Sequence, residues 1–142
     1  MGYILRDCNV RVLITSPERL ALLSDTLSQC HDLRHVVVLD SQDPLPSGGP
    51  LAHTRWSELL AMPRKAGHRV IDTDVAGILY TSGSTGKPKG VVLSHRNMVA
   101  GAKSVASYLE NTNDDTLLAA LPLSFDAGFS QLTTAFHVGA KV

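Results

Sequence analysis

Residues 80–91 read Tyr-Thr-Ser-Gly-Ser-Thr-Gly-Lys-Pro-Lys-Gly-Val and follow the short apolar stretch Gly77-Ile78-Leu79. The run holds three glycines (Gly83, Gly86, Gly90), four aliphatic hydroxyls (Thr81, Ser82, Ser84, Thr85) and two lysines (Lys87, Lys89). Glycine lets a backbone take positive φ and approach a ligand closely. Successive N–H groups can then form an anion-binding nest, which hydroxyls and ammonium groups complete. The chemistry these residue types suit is the holding of a polyphosphate. A flexible Gly/Ser linker would share part of this composition, but linkers seldom lie between apolar strands and carry Lys-Pro-Lys.

The loop is not of the Walker type, which needs a glycine five residues before the Gly-Lys pair and a Ser or Thr just after it. Thr81 stands at the first of those positions and Pro88 at the second. Pro88 lacks an amide donor and drives Lys87 towards extended geometry. Val91-Val92-Leu93 then gives a β-branched strand signal. The loop is therefore expected to join strand to strand, which denies it a helix dipole and leaves the nest and the lysines to hold charge.

From Tyr80 to Val91, extended by Leu93-Ser94-His95-Arg96-Asn97, the chain resembles the phosphate-loop signature of AMP-forming adenylating enzymes. These are the acyl-CoA synthetases, the amino-acid adenylation domains of peptide synthetases and the luciferases. A weaker resemblance to the large N-terminal domain of that family runs from about Tyr3 to Val142. The resemblance implies that ATP and a carboxylic acid form an acyl-adenylate and pyrophosphate, and that a thiol then takes the acyl group. It further implies that Thr81, Ser82, Gly83, Ser84, Thr85, Gly86, Lys87 and Lys89 hold the β- and γ-phosphates, where charge builds on the leaving group. Lys89 is the stronger candidate because Pro88 stiffens the approach to it; Lys87 can equally be a solvated surface charge. ATP, Mg²⁺ and CoA are the implied cofactors and co-substrate, with the Mg²⁺ ligand expected beyond Val142. Phosphate charge calls for the metal, and the loop contains no carboxylate.

A second segment, Leu121-Pro122-Leu123-Ser124-Phe125-Asp126-Ala127-Gly128-Phe129, resembles the stretch of that family that lines the carboxylate-substrate pocket. Acyl-CoA synthetases often carry Phe-His or His there, and amino-acid adenylation domains often carry Phe-Asp, whose carboxylate pairs with a substrate amino group. Phe125-Asp126 departs from the fatty-acid pattern, so both classes stay open, with an acyl-CoA synthetase of fatty-acid metabolism as the first reading and a carrier-protein-loading adenylation domain as the second. A non-catalytic nucleotide-binding module is a third. Each residue also has a plainer explanation. Asp126 sits in the first turn of a helix, where a carboxylate suits the dipole, and Phe125 extends an apolar stripe. His95, next to a helix cap, reads as a surface or packing residue. Ser124 has no nearby histidine to activate it, and Cys8, Cys30, His31 and His35 fit no zinc spacing.

The bulk composition is that of a soluble globular chain rather than a disordered one. Over 142 residues, 44% are hydrophobic and 18% charged, and thirteen basic residues balance thirteen acidic ones. That balance offers no electrostatic footprint for nucleic acid or an anionic membrane. No apolar run reaches membrane-spanning length and no leader pattern opens the chain. Two cysteines read as reduced thiols, so a cytoplasmic location is expected.

The elements that must position these residues are α/β in pattern. Val10 to Thr15 is a strand signal; Ser16 caps a helix with Pro17 at its first position; His35 to Leu39 is the next strand. Such continuous apolar runs suit a parallel sheet buried on both faces. Ser41 to Pro50 is a surface loop, and Thr54 is expected to cap a short helix bearing Trp56, Leu59 and Leu60. Ser94 should cap a helix running to about Leu109, Thr116 to Leu121 should be a strand, and Ser124 to Val138 a helix with Phe125, Phe129, Leu132 and Phe136 on one stripe. The expectation is a three-layer, mostly parallel sheet with flanking helices, divided into a βαβ part (1–72) and a part with the phosphate loop and substrate pocket (73–142). Tyr3-Ile4-Leu5 and Ala140-Lys141-Val142 look like half-elements of a larger N-terminal domain with its C-terminal domain elsewhere, rather than the frayed ends of a complete small domain. Incomplete sheet edges favour self-association.

Overall fold

A computed structural model of the chain describes residues 1–82 and 86–142. Gly83, Ser84 and Thr85, nominated above for phosphate contacts, lie outside the described residues. The chain is α/β, with a parallel sheet and flanking helices, and it divides into two compact units, residues 1–67 and 68–142.

In the first unit the order is α1 (Gly2–Asp7), β1 (Val12–Thr15), α2 (Pro17–Leu27), β2 (His35–Val38), β3 (Ala52–Arg55) and α3 (Trp56–Ala61). Ser16 caps α2 by accepting from the Arg19 amide, and Pro17 occupies the first turn, where its missing N–H costs nothing. The three strands are parallel in the order β1-β2-β3, with Leu13 beside Val36 and Val36 beside His53. Val36 and Val38 pack with Leu5, Leu27, Cys30 and Leu33. Burial of each valine contributes about 1.5–3 kcal/mol.

Two expectations change here. Residues 52–55 form a strand that their composition does not announce, and Thr54 lies inside it rather than capping α3. Its hydroxyl is 2.7 Å from His35 Nε2 across the sheet. Arg55 takes over at the helix start, where Glu58 accepts from the Arg55 amide at 3.1 Å and from its guanidinium at 2.9 Å. These hydrogen bonds hold the Glu58 pKa below the usual carboxylate value. The other change concerns β1. A strand buried on both faces was expected, yet Val12 and Ile14 are 53% and 52% exposed. β1 is a sheet edge, and only its Leu13–Thr15 side is covered.

The second unit opens with β4 (Val75–Thr81) and β5 (Lys89–Ser94), an antiparallel pair, followed by α4 (His95–Tyr108) and α5 (Asp126–Val138). Ser94 caps α4 as expected: its Oγ accepts from the Asn97 amide at 3.2 Å while Asn97 Oδ1 accepts from the Ser94 amide at 3.0 Å. Gly139 ends α5 at φ +75°, a left-handed cap. The strand expected over 116–121 reduces to one parallel bridge between Thr116 and Lys141. Beyond it, the Gln131 side chain satisfies the backbone instead of a ladder, donating to the Leu118 carbonyl at 3.2 Å and accepting from the Leu121 amide at 3.3 Å.

The expected stripe of α5 is covered only in its middle, where Phe129 and Leu132 are half-buried. Phe125 and Phe136 are 64% and 71% exposed, while Gly128, Thr134 and Ala135 are buried. α4 packs against α5 and buries its own Ala102 and Ala106. The α5 residues that line the hollows against α4 are Asp126, Phe129, Ser130, Thr133, Phe136 and His137. Gly128 is buried elsewhere. A Cβ there would collide with the Pro122 carbonyl oxygen and lie 2.7 Å from its carbon, so the 121–122 backbone rests directly on the first turn of α5. Alanine normally favours a helix interior over glycine by about 1 kcal/mol. Gly128→Ala is nevertheless expected to destabilise the chain by about 1–3 kcal/mol, because rigid backbone must move. Urea unfolding followed by circular dichroism checks this, and a stabilised variant would refute the close approach.

Candidate functional site

The candidate loop hangs from the β4–β5 hairpin. The ladder sets Leu79 opposite Val91, Tyr80 opposite Gly90 and Thr81 opposite Lys89. Because side chains alternate along a strand, Leu79, Thr81, Lys89, Val91 and Leu93 share one face. The neck is tight. A Cβ on Gly90 would lie 2.8 Å from Ile78 Cγ2 and 3.2 Å from the Tyr80 ring, so only glycine lets the ring cross the ladder there. Thr81 Oγ1 donates to the Lys89 carbonyl at 3.5 Å, joining the two ends of the loop. Gly86 has φ +83°, the left-handed conformation that other residues enter at a cost, and Lys87 and Lys89 are exposed.

The helix after the loop does not offer its N-terminus to an anion. Its first three amides are taken: His95 donates to the Asp74 carbonyl at 3.1 Å, Arg96 to the Asp72 carbonyl at 2.7 Å and Asn97 to Ser94 Oγ at 3.2 Å. These are the donors a helix start would otherwise present. The strand–loop–strand connection expected from Pro88 is therefore observed, and backbone amides and lysines of the loop are the donors left for charge.

A cavity of about 620 Å³ lies against the hairpin face and the entry to α5. Leu79, Tyr80, Thr81, Ser82, Val91 and Leu93 line one side, and Ser124, Phe125 and Asp126 the other. Of the nominated residues, Thr81, Ser82, Phe125 and Asp126 thus meet around one space. Gly86, Lys87 and Lys89 are described but do not line it. Leu79, Tyr80, Val91, Leu93 and Ser124 were not nominated. The two-residue alternation of the flanking strands carries the signal for Leu79, Val91 and Leu93.

Asp126 also lines a second cavity, about 320 Å³, between α4 and α5, beside Asn97, Gly101, Phe129 and Ser130. It occupies the first turn of a helix whose N-cap, Phe125, makes no side-chain cap hydrogen bond. Its place in the first turn suits a carboxylate by the helix dipole, and it lines both cavities. His95 lines two other hollows and not the hairpin cavity. Among the described residues, no group of three His, Cys, Asp or Glu side chains converges on a point, and Asp126 is the single carboxylate in the lining of the hairpin cavity. This set does not fit a protein-built magnesium site. No helix among the described residues is long and apolar enough to cross a membrane.

Known proteins bear on this geometry. Gramicidin S synthase 2 of Brevibacillus brevis is 36% identical over 127 residues, covering 89% of this chain and 2% of that protein. The peroxisomal long chain acyl-CoA synthetase 7 of Arabidopsis thaliana is 30% identical over 129 residues, covering 86% of this chain and 18% of its own length. Among solved structures, the anthranilate CoA ligase AuaEII in complex with anthranoyl-AMP superposes with a TM-score of 0.82 at 29% identity, over 99% of this chain and 27% of that one. The chain thus spans a minor part of each relative. The family model described as AMP-binding enzyme matches residues 1–142. With that match running from the first residue to the last, over the β4–β5 hairpin and its adjoining cavity, the chain belongs to the AMP-binding enzyme family.

Proposed function

We propose that this chain is the phosphate-holding and acid-lining part of an AMP-forming acid–thiol ligase of the acyl-CoA synthetase kind. In the parent protein a carboxylate attacks the α-phosphorus of ATP, pyrophosphate leaves, and the acyl group of the adenylate then passes to the thiol of CoA. The observation that carries the reading is the shared cavity, where the neck of the loop (Thr81, Ser82) meets Phe125 and Asp126. In this reading the hydroxyls of Thr81, Ser82, Ser84 and Thr85 and the amides of Gly83 and Gly86 donate to the β- and γ-phosphates. Lys89 and Lys87 offset the charge that grows on the leaving pyrophosphate. Phe125 forms a wall for the acid. Magnesium, when bound, neutralises phosphate charge, and its carboxylate ligand is expected outside this chain. Cys8 and Cys30 are not joined in a disulfide, which supports a reducing, cytoplasmic setting.

Asp126 favours a second reading, an amino-acid-adenylating domain that loads a carrier-protein thiol, and the likeness to gramicidin S synthase 2 supports it. A carboxylate beside the acid's α-carbon would pair with a substrate ammonium. Adenylation assays of the full-length parent with octanoate, anthranilate and phenylalanine separate the two. Preference for phenylalanine, lost in Asp126→Ala, would establish the second and remove the first.

For the loop, calorimetric titration of this chain with pyrophosphate is expected to show weak binding that falls about tenfold, or about 1.4 kcal/mol, in Lys89→Ala. Lys87→Ala should change it less. Equal affinity for pyrophosphate in Lys89→Ala would remove that residue from the site. The isolated chain is expected to catalyse no carboxylate-dependent exchange of pyrophosphate into ATP, and measurable exchange would show that it needs no further part. Exposed edges at β1 and in the β4–β5 pair support self-association; light scattering should report a dimer at high concentration, and a monomer throughout would refute it.

A further inference from the structure

We propose that Asp72 and Arg96 form a positioning latch that sets the register of the β4–β5 hairpin, and through it the presentation of the phosphate loop; the functional half of this proposal rests on the phosphate-loop reading above. Neither residue lines the hairpin cavity. Arg96 Nε and Nη2 both donate to Asp72 Oδ2 at 2.8 Å, and the Arg96 amide donates to the Asp72 carbonyl at 2.7 Å. The turn beneath is itself braced: Asp74 Oδ2 accepts from the Ile71 amide at 3.0 Å, and the Asp74 carbonyl accepts from His95 at 3.1 Å. The segment entering β4 is thereby tied to the residues leaving β5.

The place of this tie is what gives it a function. Directly above it Val75 pairs with Ser94, and the ladder then shifts register before Gly77 meets Leu93. An irregular ladder can slip, and a slip of one residue sends every side chain to the opposite face. Such a slip would put Leu79 and Thr81 on one face of the pair and Lys89, Val91 and Leu93 on the other. An isolated two-stranded pair is marginal by itself, so an anchor at its open end has more effect than the same pair would have on a broad sheet. Both side chains are exposed, at 64% and 61%, so the latch acts locally and adds little to global stability.

The test uses Asp72→Asn, Arg96→Gln, the charge exchange Asp72→Arg with Arg96→Asp, and Lys103→Gln as a control on the same helix. Amide hydrogen exchange of Leu79 and Val91 should quicken about twofold to fivefold in each single variant. Ala135 in α5 should be unaffected, and the charge exchange should restore protection. Cross-strand NOEs between Leu79 and Val91 should weaken in parallel. Pyrophosphate affinity should fall by a similar factor in both single variants and remain unchanged in Lys103→Gln. The sign for Asp72→Asn is decisive: removal of a negative charge would strengthen anion binding through the field alone, whereas loss of the latch weakens it. Tighter binding in Asp72→Asn, or unchanged hairpin exchange in the single variants, overturns the proposal. If the unaltered chain binds no pyrophosphate, the phosphate-loop reading fails, and the exchange rates and NOEs still decide the latch.

Discussion

Thr81 and Lys89 face each other at the last rung of an antiparallel ladder, and every group in the candidate site is referred to that rung. It fixes the distance across which the loop must close, and it orients the face that carries Leu79, Val91 and Leu93 towards Phe125 and Asp126. The rung survives because the one below it pairs an aromatic ring with a glycine. Tyr80 crosses the ladder over Gly90, where any side chain would meet Ile78 and the ring itself. A two-stranded sheet has little cooperative support of its own, so this packing and the ties at the base carry an unusual share of the local order.

The helix that follows the candidate loop has its own first amides already occupied. Helix starts attract anions because their first amides lack partners. In α4 those amides are spent on Ser94, Asp74 and Asp72, and the helix becomes an anchor for the hairpin instead of a ligand for charge. In the proposed reading, Lys87 and Lys89, both exposed, supply the positive charge beside the loop.

Packing of α5 illustrates where periodicity misleads. The spacing of Phe125, Phe129, Leu132 and Phe136 suggests a buried stripe, but the buried residues are Gly128, Thr134 and Ala135. Phe129 and Leu132, in the middle of the stripe, are half-buried, and only its two ends, Phe125 and Phe136, are exposed. The lost strand at 116–121 has its cause in one side chain. A side-chain amide, Gln131, reaches the backbone first and replaces the ladder that the apolar run anticipates.

What residues by themselves determined was local. Ser16 with Pro17, Ser94 with Asn97, and Gly139 act within a few positions, so helix starts and the last helix end are written where they occur. Pro88 likewise decides, through its own ring and missing donor, that the loop leads into a strand. What only the tertiary structure decided was whatever depends on a distant partner. Residues 52–55 became a strand because β2 offered an edge and His35 a partner for Thr54. Phe125 and Asp126 came to the loop's neck because the 121–122 backbone could rest on Gly128. Contacts of that sort follow from shape and unsatisfied hydrogen bonds across space, and no periodicity within one segment encodes them.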